Sequence, residues 1–206
     1  MIIQPGFAKI EGFIKIHDPN SGEVFVDKKN AINYENISIS MAETLSNRDV
    51  GWIQWMAFGN GGSSVDPTGV ITYLPPNTVG QNATLYNETY AKVVNDNSAA
   101  DTDPTTNKMT VLHTAGTVYT DILVTCLLDY GEPPTQQAFD NSTNFNGEFV
   151  FDELGLKTIK TAGETASADC RLITHVIFHP VQKSLNLQIQ IDSTLRIQTL
   201  SNINAV

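Results

Sequence analysis

A chain of 206 residues with 41% hydrophobic and 17% charged side chains holds enough apolar material for one sizeable core and is too apolar for wholesale disorder. Its formal net charge of −10 and pI near 4.6 argue against phosphate-backbone binding, which needs clustered Lys and Arg, so nucleic acid is not an expected partner. No apolar run reaches the roughly 18 to 20 residues that cross a bilayer, and MIIQPGFAKIEG lacks an export signal's basic-then-apolar order, so a soluble, unexported chain without a membrane partner is expected.

In chain order, FAKIEGFIKIHDPNSGEVFVDKKNAI sets two alternating runs around an Asp18-Pro19-Asn20-Ser21-Gly22 turn cluster and predicts a β-hairpin over residues 1–32. We treat this hairpin as an arm, with Phe13, Ile14 and Phe25 as candidate interface residues, and residues 33–206 as a β-rich core domain. In NYENISISMAETLSNRD, Ile37, Met41 and Leu45 recur every four residues behind Asn33 or Asn36 as N-cap, which predicts the one substantial helix.

WIQWMAFGNGG then reads as a strand that collapses into a glycine corner. GNGGSS lacks the Lys-Ser/Thr of a P-loop and the βαβ setting of a dinucleotide fingerprint, and no Lys or Arg occurs between Arg48 and Lys92. A turn, possible in the left-handed region, is the expectation, with Trp52 and Trp55 in the core. From Gly59 to Asn107 turn chemistry dominates, interrupted by GVITYL and TYAKVV, and predicts a long surface region whose Tyr73, Tyr86 and Tyr90 join the candidate interface.

The second half is strand-rich: KMTVLHTA, TVYTDILVTCLLDY, GEFVFDELGLK, CRLITHVIFHP and LNLQIQIDSTLRIQTL. The last alternates Leu185, Leu187, Ile189 and Ile191 with Asn186, Gln188 and Gln190, as a half-buried antiparallel strand requires. The predicted fold is mainly β, an antiparallel sandwich or barrel-like domain with one helix and the N-terminal hairpin.

Chemistry is harder to find. His175 and His179 are four residues apart in a strand-like stretch, roughly 13 Å, too far to share one ion. Asp96, Asp101 and Asp103 do not follow the spacing of a calcium loop and read as a solvated loop. Cys126 and Cys170 form no disulfide framework, and both are expected to be reduced, Cys126 buried. The Asn-X-Ser/Thr triplets at Asn36, Asn82, Asn87 and Asn141 come without an export signal and carry no glycosylation reading. No catalytic constellation, cofactor or metal site is expected, and the chain is read as a non-enzyme.

WIQWMAFGNGG, LYNETYAKVV, GEFVFDELGL and CRLITHVIFHPVQKS form an ordered series that resembles the N-terminal domain of tail-collar fibre proteins of tailed bacteriophages. The corresponding places are Ile53 to Gly61, Leu85-Tyr86-Asn87-Glu88-Thr89-Tyr90, Glu153-Leu154-Gly155-Leu156, and Leu172 to Lys183, within residues 52–195. Each motif is short, so their order carries the likeness. The hairpin and helix before the series, and the lack of a shaft or receptor-binding tip after it, depart from that family and shift the expectation from host recognition to a component of neck, tail, baseplate or capsid surface. The resemblance implies a virion structural protein, assembled in the host cytoplasm, whose partners are other virion proteins and its own copies in a ring or trimer. Trp52, Trp55 and Phe58 are then expected to pack against Gly155. Capsid decoration, or a glycan-binding β-sandwich using Tyr73, Tyr86 and Tyr90 with calcium on Asp101 and Asp103, are the alternatives.

Overall fold

A computed structural model describes residues 8–134 and 148–199. It is mainly β, with one helix and a curled antiparallel sheet that forms a half-barrel. In chain order the elements are β1 (Ala8–His17), β2 (Val24–Ile32), α1 (Tyr34–Leu45), β3 (Ile53–Gly59), β4 (Ser63–Val65), β5 (Ile71–Tyr73), β6 (Glu88–Val93), β7 (Lys108–Leu112), β8 (Tyr119–Leu128), β9 (Glu148–Thr158), β10 (Arg171–Leu172), β11 (Thr174–Ser184) and β12 (Ile189–Thr199). The sheet order is β6-β3-β9-β11-β2-β1-β12-β8-β7, with β10 added to β9 and β4-β5 a separate two-stranded ribbon.

The predicted hairpin is present, but it does not project as an arm. β1 pairs with β12 over ten residues, Ala8 opposite Thr199, and β2 joins β11 through Thr174–Ile32 and His175–Ala31. The hairpin is the centre of the sheet because both its strands carry an apolar face, and burying Ile10, Ile14 and Ile16 on one side of β1 requires neighbours on both edges. That two-residue junction is also where the sheet splits. One wing is β2-β1-β12-β8-β7, the other β6-β3-β9-β11, and the main core lies between them, with Ile16, Met56, Phe58, Cys126, Leu128, Phe151, Leu154 and Ile191 among its fully buried members. Phe151 meets Phe58 and Phe178 edge-on, with centroids 5.4 and 5.7 Å apart.

Asn33 caps the helix: its side chain accepts the Asn36 N–H at 3.0 Å, and its own amide donates to Gly80 O at 3.0 Å. The stripe Ile37, Met41, Leu45 runs from 5% exposed at Ile37 to 85% at Leu45, so the helix leaves the core as it proceeds. β12 begins at Ile189; the alternation before it, at Leu185 and Leu187, falls in a turn closed by Leu187 N–H to Ser184 O. Trp52 and Trp55 are only half-buried, and the core positions of that strand belong to Met56 and Phe58. Both cysteines are free and buried, and burial pushes the Cys126 thiol up to about 12.

Candidate assembly surface

The glycine corner is a clamp on two carboxylates of the chain itself. Glu153 and Asp152 of β9 have no exposed surface. Glu153 Oε1 accepts the N–H groups of Gly61 (3.1 Å) and Asn87 (2.7 Å), and Oε2 accepts those of Tyr86 (2.9 Å) and His175 Nε2 (3.0 Å). Asp152 Oδ1 accepts from Gly62 N–H at 2.9 Å, and Oδ2 accepts from the backbone and hydroxyl of Ser63. The amides that a phosphate would have needed are thus occupied by internal anions. None of Gly59, Gly61 and Gly62 adopts a left-handed φ; a Cβ on Gly59 would sit 2.5 Å from Asn87 O, and one on Gly61 2.7 Å from Asn87 N. Close backbone approach, not turn conformation, is what requires glycine here.

The clamp extends along β9 with a period of two. Gly155 lies where a Cβ would stand 2.5 Å from Thr174 O and closer still to Leu172 Cδ1, with Leu85 also against it; Leu172, Leu85 and Ala57 form a small second core. The expected tryptophans are not the groups that approach Gly155. Lys157, fully buried, donates to Glu88 and to Ser167 O, the latter at 2.9 Å. Residues 153, 155 and 157 therefore carry a covering layer made by segments 59–63, 85–88 and 167–174. Residues 59–107 are in this part pinned to the sheet instead of loose on the surface.

Asn77 N–H donates to His175 Nδ1 at 2.8 Å, so Nδ1 is unprotonated and the hydrogen on Nε2 points to Glu153. The imidazole is a neutral bridge between loop and strand. Burial opposes ionisation of Glu153, and the hydrogen bonds from His175, Asn87 and Tyr86 outweigh it and hold its carboxyl below the usual range. For Asp152 burial dominates and raises the value despite the bonds from Ser63 and Gly62. No open face remains on either carboxylate for a substrate to reach.

Unsatisfied surface lies elsewhere. Where the wings diverge on the α1 side, an apolar groove of about 430 Å³ opens between the helix stripe, Trp52 and Ile53 on one side, and Met109, Val111, Ile122, Leu195 and Ile197 on the other. Among the described residues of its lining, Asp96 is the one ionisable side chain. Its floor is the inner face of the first wing, where register aligns Gly12, Leu195, Ile122 and Val111 in one row. Along that row exposure climbs from 2% at Leu195 to 69% at Val111, because β7 extends past the cover of the opposite wing.

β7 is also an edge. Among the described residues it pairs with β8 alone. Met109 N–H turns away from β8 to Asp96 Oδ1 (3.3 Å), whereas Leu127 N–H, on the β7 side of β8, meets Asn107 Oδ1 (3.0 Å). By alternation the backbone groups of Lys108, Thr110 and Leu112 face β8, and those of Met109 and Val111 face outward. A second wedge, about 470 Å³, lies at the seam between β2 and β11, lined by Lys28, Lys29, Tyr73, His175 and His179, and Lys28 Nζ partly closes it by donating to Ile177 O at 2.6 Å.

The six predicted interface residues do not form one patch. Ile14, 1% exposed, is core and has no surface to offer a neighbour; Tyr90 packs on the core beside Phe58 with centroids 5.9 Å apart. Phe25 leans on the same core from the bulge opposite Ile16 and His17, and Phe13 sits half-buried on the other face with Lys29 Nζ 5.7 Å from its centroid. Tyr73 and Tyr86 are exposed and close to β11: Tyr73 Oη meets His179 Nδ1 at 3.1 Å, and the Tyr86 ring lies 5.6 Å from His175 while its hydroxyl donates to Pro75 O. Met109, Val111 and the helix stripe were not among the six; the signal for Met109 and Val111 was KMTVL, a short strand with apolar residues on both faces.

His175 and His179 lie on β11, buried and exposed respectively, each with a different partner. Asp101 and Asp103 are tied within their own loop, Asp103 N–H to Asp101 Oδ1 at 2.8 Å, and no cluster among the described residues could hold a metal ion. Asn36 is buried, donating to Leu172 O; Asn141 lies outside the described residues. No helix among the described residues is long and apolar enough to cross a membrane. No family model, curated protein or solved structure matches the chain.

Proposed function

We propose that this chain is a structural component of a tailed-bacteriophage virion, in the tail, baseplate or neck and collar, and that it works through repeated contacts between subunits of a symmetric assembly. The observation that carries the reading is the apolar groove that runs from the core to β7, which among the described residues is an edge strand paired with β8 alone and where Val111 is 69% exposed. Contiguous apolar surface next to a strand whose outward edge meets no other strand among the described residues is costly on an isolated subunit and suits a protein–protein contact.

The resemblance to tail-collar fibre domains supports the same reading. Its four stretches meet along β9, where Gly61, Tyr86, Asn87, Glu88, Glu153, Gly155, Leu172 and His175 build the polar clamp. What they share is the holding of a rigid block. Light scattering after size-exclusion chromatography, together with mass spectrometry and immunogold labelling of purified particles, tests the proposal. An oligomer in solution and labelled particles are expected; a monomer at all concentrations that is absent from particles would overturn it.

A further inference from the structure

We infer that β7 pairs with β7 of a second copy, antiparallel about a twofold axis through Thr110. The inference rests on the reading of the chain as a self-assembling block and names one of its contacts.

The strand Lys108-Met109-Thr110-Val111-Leu112 is complementary to itself in this register and in both directions that matter. Its outward backbone groups are those of Met109 and Val111, two residues apart. With the axis at Thr110, Met109 of one copy stands opposite Val111 of the other, and each such pair exchanges two N–H···O bonds, as antiparallel strands require. Val111 O of the second copy then takes the Met109 N–H that Asp96 holds weakly at 3.3 Å. The side chains agree with the backbone. Met109 and Val111 face the groove, so pairing extends the row Gly12, Leu195, Ile122, Val111 into the second copy's Met109 and keeps the apolar face on one side.

On the other face Thr110 meets its own counterpart, a favourable pair, and Lys108 meets Leu112, so no like charges are opposed between the two β7 strands, and the Asp96 carboxylate of each copy must turn aside from the Met109 N–H as the strands pair. A neighbouring register would break one of these matches: a shift by one residue turns groove-facing side chains to the wrong face. A five-residue strand pair alone buries less than the roughly 1,200 Å² of a stable interface, so the pairing needs further burial, for which the apolar groove that Met109 and Val111 line beside the strand is the adjoining surface.

Cysteine cross-linking tests the register. Thr110→Cys places two thiols in a non-hydrogen-bonded pair, where Cα atoms are about 4.5 Å apart, within disulfide reach. Lys108→Cys places its thiols roughly 14 Å apart, out of reach. Cys126 and Cys170 are buried and leave the background clean. Oxidation is expected to give a covalent dimer with the first variant only; no dimer from Thr110→Cys, or equal dimer from both, overturns the pairing. Thr110→Lys opposes two ammonium groups on the axis and is expected to raise the dimer dissociation constant at least about tenfold, with an unchanged circular dichroism spectrum. Val111→Pro removes an outward N–H without touching the ladder to β8, and is expected to do the same. An oligomer whose mass neither variant changes refutes this contact and leaves the assembly reading standing, whereas a monomer at every concentration refutes both.

Discussion

Glu153 Oε2 and His175 Nε2 lie 3.0 Å apart with neither side chain exposed, and the other imidazole nitrogen is occupied by the Asn77 amide. Four donors thus converge on one acceptor-only group, three of them backbone amides from segments 61 and 86–87. Glu153→Gln turns one oxygen into a donor that faces donors. A loss of about 3 kcal/mol is expected, read as a lower urea midpoint at unchanged m-value. A loss below about 1 kcal/mol would show that the clamp does not hold the loop.

Gly155→Ala drives a methyl into the Thr174 backbone O and the buried Leu172 side chain of neighbouring strands. About 2 to 3 kcal/mol of destabilisation is expected. Gly163, at φ +79° with open space around it, is the control: alanine there costs about 1 kcal/mol through conformation alone. Thermal unfolding of the two variants should rank Gly155→Ala clearly lower.

Asn33→Ala removes the helix cap and the bond to Gly80 O together. A loss of about 1 to 2 kcal/mol is expected, and Asn33→Asp should recover the cap and not the second bond, falling between. Equal stability of all three proteins by urea titration would contradict the double role.

Acid should unfold the protein, and the sign follows from the shifts. Arg196, bonded to Asp121 through Nε and Nη2 at 2.8 Å, lowers that carboxyl, and Glu153 is lowered as well. Each contributes stability that is fully present above its unfolded value, near 4, and is lost as pH falls through the folded value. Asp152 is raised by burial, so its ionised form is penalised at neutral pH and acidification relieves that cost, which softens the fall. Urea midpoints should be level from about pH 7 to 5 and drop below about pH 4, and Glu153→Gln should flatten the drop. A midpoint that rises on acidification would show Asp152 to dominate.

The strands were legible where alternation is long, as in IQIDSTLRIQT, and residue type narrowed the helix cap to Asn33 or Asn36, of which the structure uses Asn33. The position of the hairpin was not, because its partner β12 lies some 180 residues on and periodicity names no partner. ELGLK announced a strand, but not that its polar face is buried, since the cover at residues 59–63 and 85–88 is irregular chain. Glycine type alone does not separate left-handed φ from close approach, and Gly59, Gly61 and Gly62 proved to be the second kind. Trp52 and Trp55 were read as core on hydrophobicity; strand phase gave those places to Met56 and Phe58 instead.

The pairing of Ala8 with Thr199 sets the order in which the molecule can be completed. On the ribosome the hairpin emerges well ahead of β12, with Ile10, Ile14 and Ile16 uncovered, and must wait for the synthesis of residues 33–188 before β12 arrives to seal it. Closure between such distant segments is slow, so the nascent chain is open to misassociation with its siblings until translation has passed residue 199.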